Sequence, residues 1–471
     1  MQAINERLKR EGETFLDAIR KASEPVYLIL LSLYVLIYLI LKTTWDPSVG
    51  TGVGYFRYGL LSVVMWGGTL YLFFVIVSWK KLWKNTLALI LIGGALLACT
   101  GYFSTKMSTN SYGVVFDIFF CLMAAGKDYK KILRCILYMT LLSLLVAAIG
   151  VKAGFTWDMQ KPENISPGHS LGINYPNTWG YIAFLAMMLI WYLRLRNRPI
   201  LTCVFFWAIT AFMYFYISCR TIALLSAVFP VAAMAVDALE RWSRKRMASH
   251  ITVNLDDGVA KKESQGIGII GWIVTAMPFL AFAFMLALSM SYQWVHKHFY
   301  DTKLYSMAMR FVQGGLYFKT YGMPIFGNPY RSNQYTYVNV NGSFEKVGIL
   351  DSSFASYIIM RGMFWLTYTL LWLSYAIWKA LKRKDYAIPF LTAIILVFAM
   401  MERPGLEMWY CFILLYPLAK VADDPLDRQA QTETAEDPEP ECACPTQQLI
   451  EDEIDTGTEM NIVESNDETI E

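Results

Sequence analysis

The sequence has few charged residues and few histidines. Charged side chains make up 17% of the 471 residues, and His occurs 4 times, whereas about a quarter of the residues in a soluble domain are charged. Hydrophobic residues make up 56% of the chain and aromatic residues 15%. This composition excludes an ordinary water-soluble fold and indicates an integral membrane protein.

Motifs that bind nucleotides or metals are also lacking. We find no P-loop, no Gly-x-Gly-x-x-Gly fingerprint, no His-Glu-x-x-His and no Asp-x-Asp pair in the chain. Cys442 and Cys444 lie close together but have no second pair beside them, and the other six cysteines lie in or beside apolar segments. The sequence therefore predicts no cofactor, no metal, no external disulfide framework and no nucleic-acid partner.

The total charge of +3 is the sum of two opposed regions. Residues 421–471 contain 17 acidic residues and one base and carry −16, whereas the preceding 420 residues contain 40 bases and 21 acids and carry +19. One-sided charge with few aromatic residues is typical of disorder. We predict a disordered cytoplasmic tail at 420–471, which either only solvates the protein or binds a basic partner such as a chain-length regulator.

Long apolar runs fill the rest of the chain. A helix needs about 20 apolar residues to cross the hydrocarbon layer, and lipid offers no partner to an open backbone. We predict an all-α polytopic membrane protein with about 12 transmembrane helices, preceded by an N-terminal segment at 1–25, in a transmembrane domain at 26–419. The predicted spans are 26–41, 58–79, 86–103, 113–125, 132–149, 179–193, 200–217, 221–236, 267–291, 362–377, 387–401 and 408–419.

The orientation follows from the Lys and Arg residues of the connections. They cluster in the N-terminal segment and then in every second connection, at 80–84, 127–134, 194–198, 241–262 and 379–384. Basic connections are retained on the cytoplasmic side. Both termini are therefore predicted to be cytoplasmic, and no cleavable signal peptide is visible because the first 25 residues are polar.

Two long connections, 150–178 and 292–361, lie on the predicted outer side. The second interleaves many aromatic residues with Lys and Arg. Aromatic faces suit sugar rings, and cations suit phosphates. An aromatic belt at the lipid headgroups is the alternative explanation for part of this composition.

Two short motifs flank the sixth and seventh predicted spans. Ser170-Leu-Gly-Ile-Asn-Tyr-Pro-Asn177 has the Gly, Pro and Asn content of a tight turn before a helix, with Asn177 near its N-cap. Ser218-Cys-Arg220 places an arginine between two apolar runs. An arginine at membrane depth is usually paired or functional, although Arg220 could also be an interface anchor that reaches the headgroups.

These motifs resemble those of the O-antigen ligase and Wzy-type polysaccharide polymerase family. The matching segments are Ser-x-Gly-h-x-x-Pro-Asn-x-x-Gly over 170–180, where h is apolar, and Ser-x-Arg-Thr over 218–221. The large loop also fits, with Arg310, Gly314-Gly315, Ile325-Phe-Gly327, Asp351-Ser-Ser-Phe and Arg361-Gly362 in order. The resemblance covers about residues 80–420. It departs where ligases typically carry His, because this chain has Asp351.

The resemblance implies a GT-C-like fold and an enzyme of the bacterial plasma membrane. The implied reaction, at the outer face, transfers a growing glycan from undecaprenyl pyrophosphate to the next lipid-linked repeat unit. Its partners would be undecaprenyl-pyrophosphate-linked glycans, membrane lipid, a chain-length regulator and a flippase of the same pathway. A ligase of finished glycan is an alternative, and a lipid-linked sugar flippase or secondary transporter is an alternative of another class, although no internal repeat is visible.

The proposed chemistry needs a cation for the departing pyrophosphate and a base for the acceptor hydroxyl. The predicted pyrophosphate ligands are Arg220 and Arg310, with Arg403, Arg361 and Lys319 in reserve. The predicted bases are Asp351, then Glu402, then Asp117, which could instead pair with an arginine such as Arg220. Asn177 and His169 are predicted substrate contacts of the first loop. Asp351 could also be a helix N-cap, and Glu402 with Arg403 a solvent-facing ion pair.

Overall fold

The computed structural model describes residues 23–39, 43, 67, 94, 111–156, 158, 168–173, 175–195, 199–253, 268–299, 302, 305–327, 336–340, 343–347 and 350–421. The chain divides into two units, 1–422 and 423–471, and the second lies outside the described residues. The predicted acidic tail and the predicted spans 58–79 and 86–103, apart from Gly67 and Gly94, fall outside them as well.

The described part of the chain consists of α-helices and one antiparallel pair of strands. Two five-residue π-helical segments and two short 3₁₀ segments interrupt or follow the helices. In chain order the elements are α1 Ser23–Leu39, α2 Ser111–Met123, α3 Tyr129–Ala153, α4 Pro176–Ile190, α5 Pro199–Phe212, α6 Arg220–Val253, α7 Ile269–Met290, α8 Tyr292–Phe299, α9 Tyr305–Tyr321, β1 Thr336–Val340, β2 Ser343–Val347, α10 Ser353–Met360, α11 Met363–Lys382 and α12 Ala387–Met401.

Four of the described helical stretches are long and apolar enough to cross a membrane. They are Tyr129–Ala153, Ile200–Ile217, Arg220–Trp242 and Ile269–Met290. Their outer faces are apolar: on α7, for example, Ile269 is 81% and Ile270 79% exposed. Exposed side chains of this kind suit a lipid environment. The helices therefore support the prediction of an α-helical membrane protein.

Most predicted spans that fall on described residues coincide with helices. The span predicted at 387–401 coincides with α12, and that at 200–217 is covered by α5 together with the π segment Met213–Ile217. The span predicted at 362–377 corresponds to α11, which continues to Lys382. Apolar run length was therefore a good guide to helix position here.

The span predicted at 408–419 is wrong as a helix. This segment contains turns and the 3₁₀ segment Phe412–Leu415, and it is buried along its whole length. Pro417 lacks the N–H that a helix would need there. A non-helical backbone at such depth is tolerated only where the surrounding protein satisfies its polar groups.

Residues 408–420 run parallel to α2 and the turn that follows it. The Oδ1 atom of Asp117 accepts a hydrogen bond from the Met408 N–H at 3.3 Å, and the Cys121 thiol donates to the Leu414 carbonyl at 3.2 Å. Further along, Gly126 N–H donates to the Leu418 carbonyl at 3.0 Å. Polar groups on α2 and its turn thus replace part of the hydrogen bonding that a helix would have supplied.

Helix α11 also donates to this segment. Trp372 Nε1 on α11 donates to the Leu414 carbonyl at 2.8 Å, and Lys379 Nζ donates to the Pro417 carbonyl at 2.6 Å. Both side chains project from one helix, seven residues apart, which is two helical turns. The segment is therefore held between α2 and α11.

Helix α4 lies in the core, because 12 of its 15 residues are buried. Phe184 of α4 contacts Phe229 of α6, and Phe229 stacks on Phe390 of α12 at a centroid distance of 5.8 Å. Ring pairs of this kind add to the burial of apolar area. These contacts hold α4, α6 and α12 together.

Strands β1 and β2 form a hairpin in the large predicted outer loop, with Val340 opposite Ser343. The prediction of an all-α chain misses this hairpin. The sequence did contain a signal for it, since Asn341-Gly342 lies between alternating segments and Asn-Gly favours two-residue hairpin turns.

A break separates the short helix α10 from α11. Gly362 lies there with φ 99°, a left-handed value that side chains with a Cβ avoid. A Cβ at residue 362 would also collide with the Ile325 carbonyl and lie 2.5 Å from the Gly327 N atom. Ile325-Phe-Gly327 and Arg361-Gly362, far apart in sequence, therefore pack against each other at glycine positions.

Gly362→Ala is expected to destabilise the protein by about 1–3 kcal/mol, the usual cost of a strained backbone conformation, with the steric clash in addition. The measurement is thermal unfolding of the purified protein in detergent. Gly268→Ala is the matched control, because Gly268 has φ −64° and open space around a Cβ. Equal stability of the two variants would contradict this account of the break.

Candidate functional site

The two motifs of the first long loop and of the following span pack against each other. Gly180 of α4 faces Cys219, where a Cβ on the glycine would lie 2.6 Å from the sulfur. Gly168 lies against the backbone at Ile217, and the His169 N–H donates to the Tyr216 carbonyl at 3.1 Å. The glycines of this motif therefore permit a close approach of the loop and the next turn.

The His169 side chain lies at this junction. Its Nδ1 atom contacts Oδ2 of Asp158, and its ring stacks on that of Tyr216 with a centroid distance of 4.4 Å. Oδ1 of Asp158 also accepts hydrogen bonds from the backbone N–H groups of Ser170 at 2.7 Å and Leu171 at 2.9 Å. Asp158 was not among the predicted site residues, and the structure makes it the residue that holds the start of the loop motif.

The electrostatic state of Asp158 follows from these contacts. Partial burial raises the pKa of this carboxyl, but the hydrogen bonds from His169, Leu171 and Ser170 outweigh burial and hold the pKa below its ordinary value. Asp158 is therefore ionised at neutral pH.

Arg220 begins α6 and is exposed. Two residues earlier, Ser218 has φ 59°, in the left-handed region that non-glycine residues seldom occupy. Asn177 lies in the first turn of α4 and is half-buried, but the N-cap of that helix is Tyr175, which makes no side-chain capping bond. Asn177, which was predicted to lie near the N-cap, therefore lies two residues after it.

The large loop supplies the second group of predicted residues. Arg310 of α9 lies 3.7 Å from Oδ2 of Asp351 and 3.7 Å from Oε1 of Glu402. Its Nε also donates to the Met401 carbonyl at 3.3 Å. We call Arg310, Asp351 and Glu402 the carboxylate–arginine cluster. It brings together one predicted pyrophosphate ligand and the two first-ranked base candidates.

The three side chains of this cluster differ in exposure. Asp351 is 36% exposed, whereas Arg310 is 11% and Glu402 9% exposed. Burial raises the pKa of Asp351 above its ordinary value, although the guanidinium groups of Arg310 and Arg403 oppose that rise. Asp351 is therefore the carboxylate of the cluster that an external substrate can reach.

Helix α10 holds the turn that carries Glu402. The hydroxyl of Ser353 donates to the carbonyls of Glu402 at 2.6 Å and Arg403 at 2.7 Å. Ser352, rather than Asp351, is the N-cap residue of α10. The predicted role of Asp351 as the N-cap is therefore wrong, and its carboxylate faces Arg310 instead.

Glu402 and Arg403 do not form the solvent-facing pair considered from sequence. The Glu402 side chain is buried and faces Arg310, and an Nη atom of Arg403 lies 3.5 Å from the Met360 sulfur. Lys319, another reserve ligand, is exposed near the end of α9.

Asp117 is a buried partner of an arginine, as one of its two predicted roles required. The partner in the structure is Arg361 rather than Arg220: Arg361 Nη1 donates to Oδ2 of Asp117 at 3.1 Å, and the two side chains are 11% and 10% exposed. Arg361 also lies over the Tyr357 ring at 4.4 Å. This ion pair therefore connects α2 with the residue that follows α10.

The two groups of residues are connected through α4. Gly180 contacts Cys219 in the first group, and the next residue, Tyr181, contacts the rings of Phe398 at 6.1 Å and Tyr410 at 6.2 Å. These rings flank the turn at 402–406. The start of α4 therefore touches the first group and the aromatic rings on either side of the turn that carries Glu402.

Two buried acidic residues, Asp237 and Glu240, and the half-buried Asp385 went unnoticed in the sequence. Asp237 accepts from Trp191 Nε1 at 3.3 Å, and Oδ2 of Asp385 accepts from the Tyr192 hydroxyl at 3.0 Å. Glu240 accepts from the Ala387 N–H at 3.2 Å and so caps α12. The sequence did contain a signal for Asp237 and Glu240, because each places a carboxylate on a long apolar helix.

The part of the chain that the structure describes contains no group of three or more His, Cys, Asp or Glu residues able to hold a metal ion. Comparisons with family models, curated proteins and solved structures gave no match to this chain.

Removing the carboxylate of the Asp117–Arg361 pair should strongly destabilise the protein. Asp117→Ala leaves a buried guanidinium without its counter-ion, which typically costs about 3–5 kcal/mol. The double variant Asp117→Leu/Arg361→Leu should recover part of that loss. Thermal unfolding of purified protein is the measurement.

The control is the exposed pair of Lys131 and Glu24, in which Nζ of Lys131 lies 2.5 Å from Oε1 of Glu24. Lys131→Gln should leave stability unchanged, because solvent screens exposed pairs. If the two single variants were equally stable, Asp117 and Arg361 would not form a structural pair.

Proposed function

We propose that the protein is a metal-independent membrane glycosyltransferase that polymerises lipid-linked oligosaccharide repeat units. In this proposal it has about 12 spans, a GT-C-like arrangement and both termini in the cytoplasm of a bacterium, with spans of the usual length of about 20 residues. It transfers the growing glycan from undecaprenyl pyrophosphate to the next lipid-linked unit at the outer face of the plasma membrane. The motif resemblance described above supports this reading.

The observation that carries the proposal is the carboxylate–arginine cluster. Arg310 from the large loop meets Asp351, at the end of that loop, and Glu402, from the turn after α12. At 3.7 Å these contacts are ion pairs rather than hydrogen bonds. An arginine fixed by two carboxylates and a carbonyl is preorganised, which is what stabilisation of a developing negative charge requires.

Arg310 is therefore the leading diphosphate ligand, and exposed Arg220 is the second. Arg403 lies close enough to Asp351 to affect its titration and remains in reserve, as does exposed Lys319. Arg361 is less suited to binding substrate, because it donates to Asp117 at 3.1 Å, whereas the two carboxylates of the cluster lie 3.7 Å from Arg310. His169 and Asn177 remain proposed contacts of the first loop.

The three carboxylates predicted as proton acceptors differ in exposure and in the arginine that each faces. Of the three predicted carboxylates, Asp351 is the most exposed and Asp117 is committed to Arg361. Glu402 is buried against Arg310. Asp351 is thus the only one of the three that combines access with a place in the cluster, and it also helps to orient Arg310.

Deleting the gene and analysing lipid-linked glycans tests the proposed function. A polymerase predicts single repeat units that accumulate on the outer side. Units trapped inside would indicate a flippase, full-length but unattached polymer a ligase, and unchanged glycans a transporter of something else. A chain-length regulator and a flippase of the same pathway are the expected protein partners.

Complementation of the deletion strain tests Arg310. Arg310→Lys keeps the charge but loses the planar fork, so polymer output should fall at least tenfold, and Arg310→Gln should abolish it. Lys297→Gln removes a cation from exposed α8 in the same loop and should behave as wild type. Wild-type polymer length with Arg310→Lys would refute the proposed diphosphate contact.

The pH dependence of turnover tests Asp351. Burial raises the pKa of this group, so a base at this position loses activity on acidification at a pH above the ordinary aspartate range of about 4. Asp351→Asn should abolish turnover at every pH if Asp351 is the base. If Asp351 only orients Arg310, the variant should mainly raise KM for the donor. Turnover in reconstituted vesicles separates these outcomes.

A further inference from the structure

The pair of Asp158 and His169 has a geometry that suits proton transfer. A carboxylate that binds one nitrogen of an imidazole fixes the ring and leaves the other nitrogen to exchange a proton. The three carboxylates predicted as bases all face arginines, at 3.1 Å for Asp117 and 3.7 Å for Asp351 and Glu402. These carboxylates are thus engaged by cations, whereas the imidazole of His169 is engaged at Nδ1 by a carboxylate, which leaves Nε2 to exchange a proton.

The contacts of Asp158 determine which nitrogen of His169 carries the proton. Asp158 is ionised and can only accept hydrogen bonds. Two backbone N–H groups occupy its Oδ1 atom, and its Oδ2 atom faces Nδ1 of His169. The neutral imidazole is therefore protonated at Nδ1 and carries its lone pair on Nε2.

The ring is also held in place from a second direction. It stacks on Tyr216 with an interplanar angle of 15°, and the backbone N–H of His169 donates to the Tyr216 carbonyl. The side chain is nevertheless 33% exposed. Over the described ranges, which omit 159–167, no hydrogen bond to Nε2 is found. Within those ranges the titratable groups that contact the ring are Asp158 and Tyr216. Arg220 follows Tyr216 by four residues in the sequence.

We propose that His169 is the proton acceptor for the sugar hydroxyl of the incoming unit and that Asp158 is its positioning residue. This inference rests on the proposed function. The hydroxyl proton moves to Nε2 as the hydroxyl oxygen bonds to the anomeric carbon of the donor glycan. The bond from that carbon to the diphosphate oxygen breaks, and its electron pair leaves with the diphosphate. The ligand of this site is thus a saccharide that presents a hydroxyl to His169.

The tautomer of His169 can be measured without any enzymatic activity. The chain has 4 histidines, so ¹⁵N-histidine-labelled full-length protein in nanodiscs gives few signals, and His169→Gln identifies those of His169. We expect the neutral ring to be protonated at Nδ1 in the wild type and to change towards Nε2 protonation in Asp158→Asn. Nε2 protonation in the wild type, or no change in Asp158→Asn, would overturn the proposed geometry.

The kinetic test uses the reconstituted protein with lipid-linked repeat units. A general base contributes about 10²- to 10⁴-fold to turnover. His169→Gln should lower kcat by that factor with little change in KM, and Asp158→Asn should lower it at least tenfold, with partial rescue by Asp158→Glu. His298→Gln, at an exposed position on α8, should leave kcat unchanged.

Two further readouts separate the possible failures. If His169 is the base, the acidic limb of the pH–rate profile should disappear in His169→Gln and persist in Asp351→Asn. The reverse pattern would make Asp351 the base and overturn this assignment while leaving the polymerase proposal intact. Absence of polymerisation by the wild type would refute the proposed function, and with it this role, while the tautomer measurement would still test the geometry of the pair.

Discussion

A buried stretch of non-helical backbone sets the constraint on which much of this structure depends. Residues 402–420 pass between helices without forming an α-helix, so their carbonyl and N–H groups need partners from elsewhere. An unpaired backbone group at such depth costs several kcal/mol. Donors and acceptors on α2, α10 and α11 supply partners, and their positions are therefore tied to this segment.

The carboxylate–arginine cluster follows from that constraint. Ser353 binds the carbonyls of Glu402 and Arg403, and this contact places the Glu402 carboxylate against Arg310. Helix α10 has eight residues, a length of about 12 Å. Asp351 lies before its start and Arg361 follows its end, so one short helix connects the cluster with the Asp117–Arg361 pair.

The sequence located much of the helical fold, because apolar run length reports helices directly. It failed at 408–419, where hydrophobicity reflects burial inside protein rather than contact with lipid, and the two have the same composition. It brought Arg310 and Asp351 into one hypothesis through motif order and added Glu402 as the second candidate base. It could not pair Asp158 with His169 within the first loop, or Asp117 with the distant Arg361, because both pairings depend on three-dimensional contacts. The glycines at 180 and 362 were visible, but not what each of them faces.

The parallel run of residues 408–420 beside α2 also has a consequence for biosynthesis. Asp117 and Cys121 are synthesised nearly 300 residues before Met408 and Leu414, which they contact. Chains fold largely from the N-terminus as they emerge, so α2 is synthesised while these partners do not yet exist. The bundle therefore has to stay open along one side until its last segment is delivered. A truncation after residue 407 would remove that segment together with residues 421–471 and leave the remaining helices unable to close.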